Sequence, residues 1–272
     1  MEKKKILLIC DMAGHSKVGM SAMLPIFSYL GYPTFNLPTA LVSNTFNYGQ
    51  FSLLDTTDYM RQTLDVWNSL GFTCDAICTG YLYSEEQAQL VADYCRTANH
   101  QGTHIFVDPV MGDGGHLYNG ITTNQVAAMR HMIGLADICY PNFTEACMLT
   151  ETPYSAEGYS WNDTKELLTR LLALGCQSAL ITSCKVEGQT AVAGYNQNSK
   201  EFFLLPYDEL PEQFHGTGDI FAAVLTTQML AGQALEAATQ KAMDTISELI
   251  RRNLHQKDKL EGIAIENHLD LL

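Results

Sequence analysis

The sequence predicts an α/β protein, a three-layer α/β/α sandwich whose central sheet is mainly parallel with helices on both faces. Three observations predict it. Short apolar runs bounded by turn residues alternate with segments of helical period along most of the chain. Glycines follow several of the helical segments, where a left-handed residue ends a helix. Late in the chain, two strand-like runs flank Asn196-Gln-Asn-Ser199 and read as a hairpin, an antiparallel edge on an otherwise parallel sheet.

The elements follow in order. Residues 5–10 read as a first buried strand. Residues 18–30 have helical spacing and stop at Gly31. Residues 32–37 read as a second strand. Residues 57–70 form an amphipathic helix with Leu64, Trp67 and Leu70 on one face, ended by Gly71. Residues 76–79 are a short buried strand. Residues 84–98 are a helix capped by Ser84, with Gln87 completing a capping box. Residues 103–107 read as strand, 123–135 as helix, 137–140 as strand, 164–174 as helix and 178–182 as strand. Residues 190–195 and 201–205 are the arms of the hairpin. After Gly218 the chain is helical to about His255, with a break near Gly232. No linker, repeat or change of composition divides the chain, so residues 1–272 are expected to form one domain.

Charge bounds the partners. Asp and Glu number 30 against 16 Lys and Arg, a net −14 over 272 residues. Such a field opposes nucleic acid and anionic membrane surfaces. A phosphate-bearing substrate would need a local device, metal or backbone amides, to overcome it. No apolar run approaches the ~18 residues of a membrane-spanning helix. The basic start, Met1-Glu-Lys-Lys-Lys5, precedes only five apolar residues, whereas a secretory core needs about 7–15. The eight cysteines include no Cys-x-x-Cys pair and sit mostly in apolar segments. Reduced thiols in a cytoplasmic protein are therefore expected, and the acceptor sequences at Asn142 and Asn162 carry no weight.

In open α/β sheets, ligands bind beyond the carboxyl ends of the strands. Several polar motifs stand there. Gly216-Thr-Gly-Asp219 precedes an apolar helix, and its glycines let backbone approach a ligand. The helix start would present free amides to an anion, with Asp219 in the first turn; a plain turn with a dipole-favoured Asp is the bland reading. Asp108-Pro-Val-Met-Gly-Asp113 carries two carboxylates suited to hydrated Mg²⁺ near phosphates, or is only a turn. Asn142-Phe-Thr-Glu145 reads first as a capping box, compatibly with Asn142 meeting a phosphate and Glu145 a hydrated metal. His116 and His215 read as ordinary loop histidines. Lys17 lacks the P-loop spacing, and no Gly-x-Gly-x-x-Gly follows the first strand, which removes a dinucleotide oxidoreductase.

Taken in order, these motifs resemble those of the ribokinase-like superfamily in its pyridoxal kinase branch, from about Leu8 to Ile250. Leu37-Pro-Thr-Ala-Leu-Val-Ser-Asn-Thr45 resembles the segment lining the vitamin site, Thr79-Gly-Tyr81 the branch's Thr-Gly-Tyr, and Asp108-Pro-Val-Met-Gly-Asp113, Pro141-Asn-Phe-Thr-Glu145 and Gly216-Thr-Gly-Asp219 its later motifs. The resemblance implies phosphotransfer from ATP to the 5′-hydroxymethyl group of pyridoxal, pyridoxamine or pyridoxine, as in vitamin B6 salvage. Asp219 would be the base, and Gly216, Thr217 and Gly218 the anion hole. Asn142, Ser183, Thr217 and Tyr118 would hold ATP. Asp11, Thr45 and Tyr81 would hold the substrate. Asp108 and Glu145 would steer Mg²⁺ through water, with a monovalent cation such as K⁺ admitted. The resemblance also implies a homodimer. Asp11-Met12 stands where the branch usually has Ser-His. That aspartate resembles the hydroxymethylpyrimidine kinases of thiamin synthesis, which usually carry Cys where this chain has Asp219. A hydroxymethylpyrimidine kinase, and a non-catalytic vitamin-binding protein on the same scaffold, are the alternatives.

Overall fold

A computed structural model describes residues 3–118 and 121–272. The expected α/β class, with mainly parallel strand pairing, is what forms. The chain folds as two compact units, residues 1–83 with 210–272 and residues 84–209. The first unit opens with β1 (Ile6–Ala13), α1 (Met20–Tyr29), β2 (Thr34–Val42), β3 (Leu53–Asp55), α2 (Thr57–Ser69) and β4 (Ala76–Thr79). β1 pairs in parallel with β2 and with β4, and β2 pairs antiparallel with β3. Residues Ile6 to Ile9 are fully or almost fully buried, which suits an apolar run covered on both faces. The strand runs three residues past the expected end, carrying Asp11 into its final turn of pleat.

The face of α2 differs from the expectation. Met60 and Leu64 are buried and the Trp67 ring lies tilted 5.5 Å from that of Phe35, but Leu70 is 60% exposed. Leu70 is the C-cap residue, and the chain turns away at Gly71 in the left-handed region, so the apolar stripe ends one turn early.

The second unit holds α3 (Glu85–His100), β5 (His104–Val107), β6 (Gly112–Asp113), β7 (His116–Leu117), α4 (Thr123–Ile133), β8 (Ile138–Cys139), α5 (Phe143–Leu149), α6 (Trp161–Ala173), β9 (Ser178–Val186), β10 (Gln189–Asn196) and β11 (Glu201–Pro206). β8 pairs in parallel with β5 and β9, while β9, β10 and β11 pair antiparallel in turn, which is the expected edge. The Ser84 hydroxyl accepts the Gln87 amide at the start of α3. α6 begins three residues before the expected point because Ser160 caps it.

The chain then returns to the first unit with α7 (Thr217–Leu230) and α8 (Leu235–Asn253). The break falls at Gly232 as expected. α7 is apolar all round, with Ile220 to Thr227 all buried, and packs against α1 and α8. Burial on every side fixes the helix, and with it the position of its N-terminus. None of the eight cysteines is in a disulfide, and all but Cys74 are buried. Among the described residues, no helix is long and apolar enough to cross a membrane.

Candidate active site

In the first unit Gly19 lies against Asp11 at the end of β1 and bonds Asp219 at the start of α7. Gly216 is the N-cap of α7 with φ +80°, and no side chain caps the helix there. The amides of the first turn are thus left to the surroundings. A Cβ at Gly216 would lie 1.9 Å from the Lys17 carbonyl oxygen, so the position admits only glycine on two counts. Gly218 differs: it stands exposed, and a Cβ there would meet nothing within 4 Å. Its lack of a side chain leaves space at the helix start rather than relieving a clash. The Thr217 hydroxyl donates to the Phe214 carbonyl at 3.1 Å, which aligns the turn entering the helix.

Asp219 lies in the first turn of α7, and its Oδ2 accepts the Gly19 amide at 2.8 Å. Protein crowds the carboxyl, and that desolvation, added to the charge of Asp11, lifts its pKa to about 7; the Gly19 amide and its own backbone amide oppose the rise. Gly19 has φ +54°, and a Cβ on it would lie 2.6 Å from both the backbone oxygen and Oδ1 of Asp11. Gly19 is therefore wedged between the two carboxylates and hydrogen-bonded to one. The Cys10 thiol donates to Asp11 Oδ1 at 3.3 Å. Burial raises the pKa of Asp11 as well.

The loop 14–19 is fastened from behind. The Lys17 amide donates to the Glu261 carbonyl at 2.7 Å, and Lys17 Nζ pairs with Glu266. Lys17 thus ties the loop to the segment carrying Glu261 and Glu266. Tyr81 follows β4 and is half-buried; burial, the charge of Asp11 and Tyr83 push its hydroxyl up to about 12. Its ring meets Phe46 edge-on at 5.8 Å. Thr45 caps the short 3₁₀ turn that carries Phe46. The first unit therefore gathers Cys10, Asp11, Gly19, Tyr81 and Asp219 into one electrostatically coupled group.

The second unit builds its own cluster. Asn142 and Glu145 form a complete capping box at the start of α5. Glu145 is 3% exposed, and its oxygens accept three backbone amides: Met111 at 2.9 Å, Gly112 at 3.5 Å and Asn142 at 2.9 Å. Desolvation carries its pKa to about 7 despite these bonds, with Asp113 adding to the rise. The Asn142 side-chain amide donates to the Gly112 carbonyl at 2.8 Å. The box thus holds the 108–113 loop as well as the helix. Asp108 directly follows β5 and is half-exposed. Among the described residues no group of three or more His, Cys, Asp or Glu could hold a metal. Mg²⁺ that keeps several waters and leans on substrate phosphates needs only one or two carboxylates. Asp108 fits that demand, whereas Glu145, its oxygens already bonded, reaches a metal only at second hand.

Ser183 lies exposed within β9 at φ +54°, beside the irregular pairing of Ala191 to Ala193, and bonds the Tyr207 hydroxyl. Tyr118 is 40% exposed, and its amide donates to the Met111 carbonyl at 2.9 Å. His116 lies exposed in β7 and His215 half-buried before α7. Sequence reasoning missed Gly19, Cys10, Phe46 and the Met111 and Gly112 amides. A glycine directly before an apolar helical run was the one signal available for Gly19.

The phosphomethylpyrimidine kinase family model matches residues 16–263 of the chain. Over 236 residues the chain is 30% identical to a provisionally assigned pyridoxal kinase of Schizosaccharomyces pombe, which covers 82% of this chain but only 66% of that protein, just under two thirds. It is 31% identical over 240 residues to a pyridoxine/pyridoxal/pyridoxamine kinase of Bordetella avium, covering 84% of this chain and 77% of that one. A solved structure from Bacteroides thetaiotaomicron, provisionally assigned as a phosphomethylpyrimidine kinase and in a crystal form with pyridoxal, is similar at a TM-score of 0.93 and 36% identity, covering 99% of this chain and 96% of that one.

Proposed function

Since the chain belongs to the phosphomethylpyrimidine kinase family, in its ribokinase-like pyridoxal kinase branch, and is a phosphotransferase of the pyridoxal kinase type, we propose that it moves the γ-phosphoryl group of ATP onto the 5′-hydroxymethyl group of pyridoxal, pyridoxamine or pyridoxine. The observation that carries this reading is Asp219: a carboxylate with a pKa of about 7, beside the uncapped amides of α7 and oriented by Gly19.

Each residue has a role in the proposal. Asp219 accepts the hydroxyl proton as the oxygen attacks phosphorus; a base with a pKa near neutrality suits that transfer. The amides of Gly216, Thr217 and Gly218 hold the charge that develops on the transferred group, in a chemistry that is mostly positioning and electrostatics. Asn142, Ser183 and Thr217 contact phosphates, and Tyr118 lies by the nucleotide. Thr45 and Tyr81 hold the substrate ring. Asp108 would hold hydrated Mg²⁺, with Glu145 acting through the loop it fastens; the metal would supply positive charge that offsets the charge of the phosphates. A monovalent cation such as K⁺ belongs to the same proposal. The proposal treats the two units as one kinase domain, a reading supported by the match of the family model to residues 16–263. The mostly buried thiols, none of them in a disulfide, support a cytoplasmic setting. Leu41 and Leu54, cross-strand partners on β2 and β3, are exposed with Tyr59 and Val66 of α2, and support a homodimer that light scattering would detect.

The Asp11-Met12 pair at the end of β1 favours a second reading, a hydroxymethylpyrimidine kinase. A coupled ADP-release assay with pyridoxal, pyridoxamine, pyridoxine and hydroxymethylpyrimidine separates the two. Turnover of the B6 vitamers is expected. Turnover of the pyrimidine alone would select the second reading, and ligand binding without any turnover would indicate a binding protein.

A further inference from the structure

Asp11 is a crowded carboxylate with no paired cation among the described residues. Among the described residues its hydrogen-bond partners are the Cys10 thiol and its own backbone amide. The nearest cationic side chains along the chain are committed elsewhere: Lys17 pairs with Glu266, and His15 lies 4.0 Å from Glu261. A buried charge normally has a partner, because desolvation without one is expensive. Asp11 also stands on the far side of Gly19 from Asp219, and its charge reaches Asp219, Tyr81 and Cys10. The charge of Asp11 acts on Asp219 and Tyr81, the residues that the kinase reading gives to the substrate, so a substrate held by them lies within the field of two carboxylates, and among the described residues no cation pairs with Asp11.

Resting on the kinase reading above, we propose that Asp11 is a specificity residue that pairs with an ammonium group on the substrate ring, so that the enzyme prefers the aminomethyl vitamer, pyridoxamine, over the hydroxymethyl vitamer, pyridoxine. The substrate supplies the missing positive charge. Both substrates offer the same 5′-hydroxymethyl group to Asp219, so the ammonium is the difference that Asp11 reads. Tyr81, whose hydroxyl stays protonated, can donate but cannot supply that charge.

The test is the ratio of kcat/KM for pyridoxamine to that for pyridoxine, measured in wild type, Asp11→Asn and Asp11→Ser. A ratio taken within one preparation is independent of how much of a variant is folded. Wild type is expected to favour pyridoxamine, and both variants to lower the ratio by about tenfold or more, the usual consequence of removing one member of a desolvated charge pair. A wild type that favours pyridoxine, or a ratio that survives both substitutions, would overturn the proposal. Failure of the kinase reading looks different: wild type would then turn over neither vitamer.

Discussion

Asp219→Asn is expected to lower kcat by about 10²–10⁴ while leaving the KM for ATP nearly unchanged. Asparagine keeps an oxygen for the Gly19 amide, so the geometry at the start of α7 survives and only the proton acceptor is lost. The same variant should gain stability at alkaline pH. The pKa of Asp219 is raised in the folded state, from an ordinary 3.8 to about 7. Its contribution to folding is thus most favourable at acid pH and is lost as pH rises through about 7. The melting temperature of the variant should match wild type near the ordinary carboxylate pKa and exceed it above neutrality. Inactive and more stable is the signature of a functional carboxylate held at a cost; inactive and less stable would mean that Asp219 is chiefly structural.

The second large effect is expected at Gly216. Gly216→Ala puts a Cβ into a backbone at φ +80° and within 1.9 Å of the Lys17 carbonyl oxygen. The left-handed conformation alone costs about 1–2 kcal/mol for a residue with a side chain. The contact is with backbone, so no rotamer can relieve it, and the loop carrying Lys17 and Gly19 must move. That loop orients Asp219. Displacing a reacting group by about 1 Å can cost on the order of 10²-fold in rate, so kcat should fall steeply along with stability. Gly218→Ala is the contrast, because its added carbon meets no protein atom. Thermal melts should show it close to wild type, and any loss of its activity should then lie in the handling of ATP. Equal melting temperatures for Gly216→Ala and wild type would contradict this account of the turn.

Much of this was legible in the chain. The alternation of apolar runs and helical segments is dictated by burial, and it placed the strand ends where the motifs stand. The Gly-Thr-Gly-Asp turn was readable because a helix entered through a left-handed residue needs glycine. Asn142 and Glu145 were readable as a capping box, and the box is there. The structure adds that Glu145 also fastens the 108–113 loop, since amides of Met111 and Gly112 carry no residue-type signal. The Gly19 bond to Asp219 was invisible for the same reason: it spans 200 positions and uses a backbone amide. β3, β6 and β7 have two or three residues each, too few to show a period. Ser183 takes a positive φ that no turn residue announced. The acidic balance, −14 overall, also reads differently at close range. The proposed site meets ATP with backbone amides and a metal in place of lysines, so the net charge opposes polyanions without opposing a nucleotide.

The most direct test of the central claim is the pH dependence of kcat/KM for pyridoxine phosphorylation. Asp219 must be ionised to take the hydroxyl proton, and its pKa lies at about 7, raised first by desolvation and then by Asp11. The profile should therefore rise with pH to a plateau through an apparent pKa of about 7. In Asp11→Asn, which removes the neighbouring charge and keeps the side-chain shape, the limb should move to lower pH; the other titratable groups coupled to Asp11, Cys10 and Tyr81, have pKa values raised above their ordinary range and stay protonated throughout it. A profile that is flat across neutrality in wild type, or a limb that Asp11→Asn leaves in place, would contradict the assignment of Asp219 as the base.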